Sequence, residues 1–446
     1  MPDPILCTFL SILKDLGTPL SRRSFANFVI IAIGWIRTHG VHAVTEALVV
    51  TEVAGKRHHE AFHRFFSRGT WNPDRLGHWL FGRLERTMGP GAVRICVDDT
   101  LAPKKGPEVF GIGTHIDAVR SSKRQKIFSF GHCWVVLAVV VHVPFSKRAW
   151  ALPMLLRLYR NKKACPVTEY NKKTQLARQM IDVFVGWTDR RIELTADCAY
   201  CNDTVTRGLS GRVVLFGAMR PDAVLTALPE DSLPGPEGGR PKKRGKSLPK
   251  PERIACDGRR HWKTCKVFLY GRERTVSYKT ICGQWYRACG TRLLRIVIVA
   301  TEKGTIPWRV FFCTDASLSV PEILAGYGSR WSIECFFRDG KQLLGFADSC
   351  ARKKQAVLRV APFVALLHSA LVLWFMEGAS QSPLAMPPVR PWYLHKRGLS
   401  FHDILRTARR TLAGVDVFDL INDIAYLAHP PRRSRIPGRP SGTIAA

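Results

Sequence analysis

The chain has 446 residues, of which 46% are hydrophobic and 23% charged. That length accommodates two to four domains with a real core, and those proportions exclude wholesale disorder and a polytopic membrane protein. The 68 Lys and Arg against 35 Asp and Glu leave a formal net charge of +33, which gathers polyanions before any specific contact forms. Nucleic acid is the expected partner. A membrane is not, because neither a basic amphipathic helix nor a lipidation motif is present.

Residues 1–90 read as an N-terminal helical DNA-binding domain. Apolar positions recur at helical spacing over 25–36, and a second helix starts with Asn72 as cap and Pro73 in the first turn, presenting Leu76, Leu80 and Leu84 on one face. Lys56 to His59 and His63 to Arg68 mix basic and aromatic residues, as a DNA-contacting surface would, or as a solvated face beside core phenylalanines. From 91 to 219 the pattern becomes α/β, with strands at 93–97, 134–143, 191–196 and 213–216 and a helix at 174–184. Residues 220–313 read as a β-rich insertion with strands at 266–269, 275–278, 293–299 and 308–312. Its basic loop at 239–250, containing Lys242, Lys243 and Arg244, is rich in Pro and Gly and is expected to be mobile. Helices resume over 314–385 with a capping box at Ser319 and Glu322. The uncharged run 360–376 is expected to be a buried helix, and 386–446 a C-terminal segment with a basic, Pro-rich, disordered tail.

The 13 cysteines follow no secretory-type start and are expected to be reduced thiols of a cytoplasmic, nucleoid-associated protein. Cys198 and Cys201 have zinc-like spacing, and Cys256, Cys265, Cys282 and Cys289 invite the same reading, but no second close pair completes a site.

Asp98 and Asp197 each follow an apolar strand-like run, and strand ends in an α/β sheet open on the crevice where sites form. Either aspartate alone reads more readily as a turn or cap residue. The third element is Tyr327-x2-Arg330-x3-Glu334-x6-Lys341, which on one continuous helix falls within about 60° of arc. Opposite two aspartates, that face makes chemical sense. Three converging carboxylates repel unless cations sit between them, and hard oxygen ligands suit Mg²⁺ or Mn²⁺. Two such ions serve an in-line phosphodiester substitution, with Tyr327, Arg330 and Lys341 holding DNA phosphates. The plain alternative is an exposed helix with an ordinary Arg330–Glu334 pair.

The Tyr-Arg-Glu-Lys spacing, after Val97-Asp98-Asp99-Thr100 and Thr195-Ala196-Asp197-Cys198-Ala199-Tyr200, resembles the DDE transposases of bacterial insertion sequences. The likeness extends to Gly131-His132-x-Trp134, Leu152-Pro153 and Arg330-Trp331-Ser332-Ile333-Glu334, and covers about residues 20–375. It implies an α/β fold with a ribonuclease H-like catalytic core interrupted by a β-rich insertion, and catalysis by Asp98, Asp197 and Glu334 with two Mg²⁺ ions, Mn²⁺ substituting. It further implies cut-and-paste movement through a hairpin intermediate, with a homodimer bringing together the terminal inverted repeats and target DNA. The family's Asp-x-Thr setting selects Asp98, with Asp99 as the fallback. Glu334 stands 137 positions after Asp197, which fits an insertion, and Trp308 resembles the tryptophan that stacks on a flipped base. His115 and His132 match no ligand of the family. A domesticated or inactive relative that only binds DNA is the other reading, against which all three carboxylates are present.

Overall fold

A computed structural model describes residues 4–106, 108–122, 124–229, 242–301, 307–386, 392 and 398–421. Five helices lead the chain: α1 (Pro4–Gly17), α2 (Arg22–Arg37), α3 (Val44–Val50), α4 (Glu60–Ser67) and α5 (Pro73–Thr87). The start signals of α5 act as expected. The Asn72 side chain accepts the Asp74 N–H at 2.8 Å, Pro73 sits in the first turn, and Leu76, Leu80 and Leu84 are buried.

The next elements are β1 (Val93–Pro103), β2 (Gly113–Ile116), β3 (Phe128–His142), β4 (Ala149–Tyr159), α6 (Lys173–Val185), β5 (Ile192–Ala196), α7 (Asp203–Thr206) and β6 (Val213–Ala218). Strands β2 and β4 both pair with β3, which runs antiparallel to β1, while β1, β5 and β6 are parallel. Strand β1 is longer than its apolar run predicted. Its pairing with β3 continues to Pro103, so Asp98 and Asp99 lie within the strand and not at its end. The parallel ladder with β5 does stop at Val97 opposite Ala196. Strand β4 escaped the sequence reading because Pro153 interrupts it. The proline is tolerated because, among the described residues, β4 pairs only with β3, beside a register shift between Leu137 and Ala138.

Residues 220–313 hold β7 (Leu225–Thr226), β8 (Ser247–Leu248), α8 (Pro251–Cys256), β9 (Lys263–Leu269), β10 (Arg272–Gly283), α9 (Tyr286–Cys289), β11 (Leu294–Ala300) and β12 (Trp308–Cys313). Strand β12 pairs with β6, so β12, β11, β10 and β9 extend the central sheet to ten strands. The expected mobile loop is corrected over 245–248. There Leu225 pairs with Leu248 and Thr226 with Ser247, and the Gly245 N–H bonds to the Ala227 carbonyl at 3.0 Å. Backbone hydrogen bonding overrides the composition. Residues 230–241 lie outside the described residues.

The chain continues through α10 (Val320–Gly328), α11 (Trp331–Leu343), α12 (Lys354–Met376) and α13 (Phe401–Thr411). Helix α12 is long and apolar enough to cross a membrane, yet 94% of its apolar window is buried inside the fold. It packs against α1, α4, α5, β4 and α13, so the N-terminal helices share one hydrophobic core with the sheet. The basic tail beyond residue 421 lies outside the described residues.

Candidate active site

Because β1 and β5 are parallel with Val97 opposite Ala196, the next residues, Asp98 and Asp197, emerge side by side. Alternation along β1 then sorts the two consecutive aspartates onto opposite faces. Asp98 faces α11, where Arg330 bridges it to Glu334. One guanidinium nitrogen, Nη1, donates to Asp98 Oδ2, and the other, Nη2, donates to Glu334 Oε1 at 2.9 Å. Asp197 Oδ1 accepts the backbone N–H groups of Ala199 and Tyr200 at 2.9 and 3.3 Å, which fixes the turn after β5.

Asp99 points the other way. Its Oδ2 accepts from Lys173 Nζ at 2.6 Å and its Oδ1 from the Tyr200 hydroxyl at 2.7 Å, with Cys133 Sγ at 3.4 Å. Both oxygens are committed to a structural network that ties β1 to α6 and to the turn carrying Asp197. Asp98 is the aspartate on the side of Asp197, Arg330 and Glu334. The sequence reading assigned no role to Lys173 or Tyr200. Tyr200 was within reach, three residues after Asp197, whereas Lys173 meets Asp99 only through the tertiary fold.

The electrostatics of the cluster are those of crowded negative charge. Burial pushes the Asp98 carboxyl up to about 7, the Arg330 guanidinium opposes the rise, and Asp197 adds to it. Burial likewise holds Asp197 above the ordinary carboxylate range against the pull of Arg330. For Arg330, burial works against the charge, but Asp98, Tyr327, Glu334 and Asp197 outweigh it and hold the guanidinium above its usual value.

Tyr327 and Glu334 do not share one continuous helix, which corrects the expectation of a single helical face. Helix α10 ends at Gly328 and α11 begins at Trp331. The junction is tightened by three-residue hydrogen bonds, Arg330 N–H to the Tyr327 carbonyl at 3.1 Å and Ile333 N–H to the Arg330 carbonyl at 3.0 Å. The Ser329 and Ser332 hydroxyls donate to the carbonyls of Gly326 and Ser329. Tyr327 remains beside the cluster, its ring 5.9 Å from the Arg330 guanidinium and packed on Phe311 at 4.6 Å, with burial pushing its hydroxyl up to about 12. Lys341 lies two turns past Glu334, and burial holds its amine below the usual value.

Trp308 is not brought to the carboxylates. It stands opposite Ala300 on β12, three strands from β1, and packs partly against the main core. An odd spacing separates it from Phe311, so it lies on the sheet face away from Tyr327. Lys242, Lys243 and Arg244 are exposed. Arg244 sits 4.5 Å over the Tyr286 ring and lines a groove of about 670 Å³ with Arg207, Arg287 and Arg292. His132 Nε2 is 2.9 Å from the Phe110 carbonyl, a packing role. All 13 cysteines are free, and among the described residues no three His, Cys, Asp or Glu side chains group closely enough to hold a metal as they stand. The zinc reading therefore finds no cluster. At the three carboxylates, Arg330 occupies the space between Asp98 and Glu334.

The chain belongs to the DDE superfamily endonucleases, whose sequence pattern matches residues 16–274. Asp98 and Asp197 fall inside that match and Glu334 beyond it. Among solved structures the chain is similar to a piggyBac transposase in a synaptic complex with hairpin DNA, at 11% identity over 97% of this chain and 83% of that one, with a TM-score of 0.43. No curated protein matches the sequence.

Proposed function

We propose that the chain is a DNA transposase of the DDE type, which moves an insertion sequence by metal-dependent phosphodiester hydrolysis and strand transfer. The observation that carries this reading is the register that sets Asp98 beside Asp197 while α11 brings Glu334 to the same face. The antiparallel order β4, β3, β1 followed by the parallel β1, β5, β6 supports a ribonuclease H-like core, with β7 to β12 inserted ahead of Glu334. The net charge of +33 and the arginine-lined groove support duplex DNA as the partner.

The donor set fits a divalent metal. It offers only carboxylate oxygens, and a cation, Arg330, already stands between two of them. Asp98, Asp197 and Glu334 would hold Mg²⁺, or Mn²⁺ in its place, two ions per site, which when bound activate the attacking oxygen and stabilise the leaving one. Tyr327, Arg330 and Lys341 would position phosphates beside them. In this reading a homodimer pairs terminal inverted repeats with target DNA at the nucleoid and cuts through a hairpin intermediate.

The test is cleavage of duplexes carrying any inverted repeats that flank the gene. With Mg²⁺ the protein should nick these ends and form hairpins. Asp98→Ala, Asp197→Ala and Glu334→Ala should each abolish cleavage while leaving binding within roughly a few-fold. Normal cutting by Asp98→Ala would move the site elsewhere. Specific binding of the ends without any cleavage by the unmodified protein would favour a domesticated DNA-binding relative.

A further inference from the structure

We propose that Arg330 couples DNA binding to metal binding: it occupies the metal-facing oxygens of Asp98 and Glu334 until a DNA phosphate draws its guanidinium away. The inference rests on the metal-dependent reading above and goes beyond it by assigning the two ligands a thermodynamic link and a residue that carries it.

Arg330 Nη1 donates to Asp98 Oδ2, and Nη2 donates to Glu334 Oε1 at 2.9 Å. An ion bound between those oxygens and the guanidinium cannot occupy the same space, and the two positive charges repel. The present seat also leaves Arg330 incompletely satisfied, because its buried Nε has no hydrogen-bond partner among the described residues. A phosphate offers the planar, bidentate partner that a guanidinium matches well.

The position allows the exchange. Arg330 lies at the junction of α10 and α11, with the Tyr327 ring 5.9 Å away. Rotation about its own side-chain bonds therefore releases both carboxylates without unwinding a helical turn. Without DNA, Arg330 neutralises part of the carboxylate charge and weakens metal binding. With DNA, its charge moves to a phosphate and the carboxylates are left to the metal. Because coupling between two ligands is reciprocal, metal must strengthen DNA binding by the factor with which DNA strengthens metal binding.

The experiment measures Mn²⁺ affinity from the electron paramagnetic resonance signal of the free ion, with and without a short random-sequence duplex that contains no element end. In the unmodified protein, duplex should tighten Mn²⁺ binding and Mn²⁺ should tighten duplex binding by a common factor, in the roughly 5- to 150-fold range typical of such couplings. Arg330→Gln should bind Mn²⁺ at least about tenfold tighter without DNA, the factor expected when one charge-assisted hydrogen bond no longer competes, and its coupling factor should shrink. If Arg330→Gln does not fold, Arg330→Met serves instead: it carries neither the charge nor an N–H donor, so DNA-free Mn²⁺ affinity must still rise. A folded variant that binds Mn²⁺ no tighter than the unmodified protein without DNA overturns the coupling role and leaves Arg330 as a phosphate-binding residue alone. Absence of Mn²⁺ binding in both proteins, with and without duplex, overturns the metal-dependent reading itself.

Discussion

Replacing Asp98 and Asp99 in turn with asparagine should shift stability in opposite directions, although the two are neighbours on one strand. Ionised Asp98 is costly to the fold. Burial, opposed by Arg330 and reinforced by Asp197, raises its carboxyl from the ordinary 3.8 to about 7, and at about 1.36 kcal/mol per pH unit this corresponds to a ceiling of about 4 kcal/mol. The folded protein keeps this proton at pH values where the unfolded chain has released it. Asp98's contribution therefore falls as pH rises from about 4 to about 7 and is flat on either side. Asp98→Asn should stabilise the metal-free protein by about 1 to 4 kcal/mol at pH 8, the lower figure reflecting the charge that Arg330 loses, and should have little effect at pH 4. Asp99→Asn removes the charge that holds Lys173 Nζ at 2.6 Å and leaves one amide oxygen where two carboxylate oxygens accept from Lys173 and Tyr200. Its cost should be about 2 to 3 kcal/mol, below that of a fully buried pair because 35% of the Lys173 side chain is exposed. Urea denaturation in EDTA at the two pH values, followed by tryptophan fluorescence, reads both effects. Should Asp98→Asn destabilise the protein at pH 8, the ion pair with Arg330 outweighs the crowding of negative charge, and ionised Asp98 is not the burden inferred from its burial.

His368 stacks on Phe401 at 4.2 Å with neither ring nitrogen partnered among the described residues, and burial pushes its imidazole down to about 3. The unfolded chain takes up a proton that the fold refuses, so this contribution is fully present above about pH 6.5 and is lost as pH falls. The advantage of His368→Phe over the unmodified protein should grow by up to about 1.4 kcal/mol per pH unit below that point, and a pH-independent difference in urea midpoints would contradict it. Reversing Lys242, Lys243 and Arg244 to glutamate should weaken binding to random-sequence duplex and flatten the slope of log K against log salt by about one for each phosphate no longer neutralised; an unchanged slope removes this strip from the interface. Trp308→Ala should lower the melting temperature, at a cost of about 2 kcal/mol for a half-buried ring, and reduce nicking and hairpin formation together. Loss of hairpin formation alone, with stability intact, would restore a base-stacking role.

Much of the framework was legible because local rules wrote it. The Asn72 and Pro73 start of α5, the Ser319 and Glu322 capping box of α10, and the β-branched runs of β1, β5 and β6 each depend on interactions within a few residues. Spacing also singled out Asp98, Asp197, Arg330 and Glu334, the four residues that the fold gathers. Long-range pairing determined the rest. Strand β4 was hidden by Pro153, which only an edge position beside a bulge makes tolerable. The segment 245–248, composed like a loop, is held by pairing with 225–227 across the chain. Sequence named two adjacent aspartates, and the Asp-x-Thr resemblance selected Asp98 with Asp99 as the fallback, but nothing local shows what either side chain meets. Strand alternation turns one toward Arg330 and the other toward Lys173 and Tyr200, and those partners lie 232, 74 and 101 residues away. Contacts at such separations depend on how the sheet and helices assemble, so only the tertiary structure decides which aspartate faces the crevice.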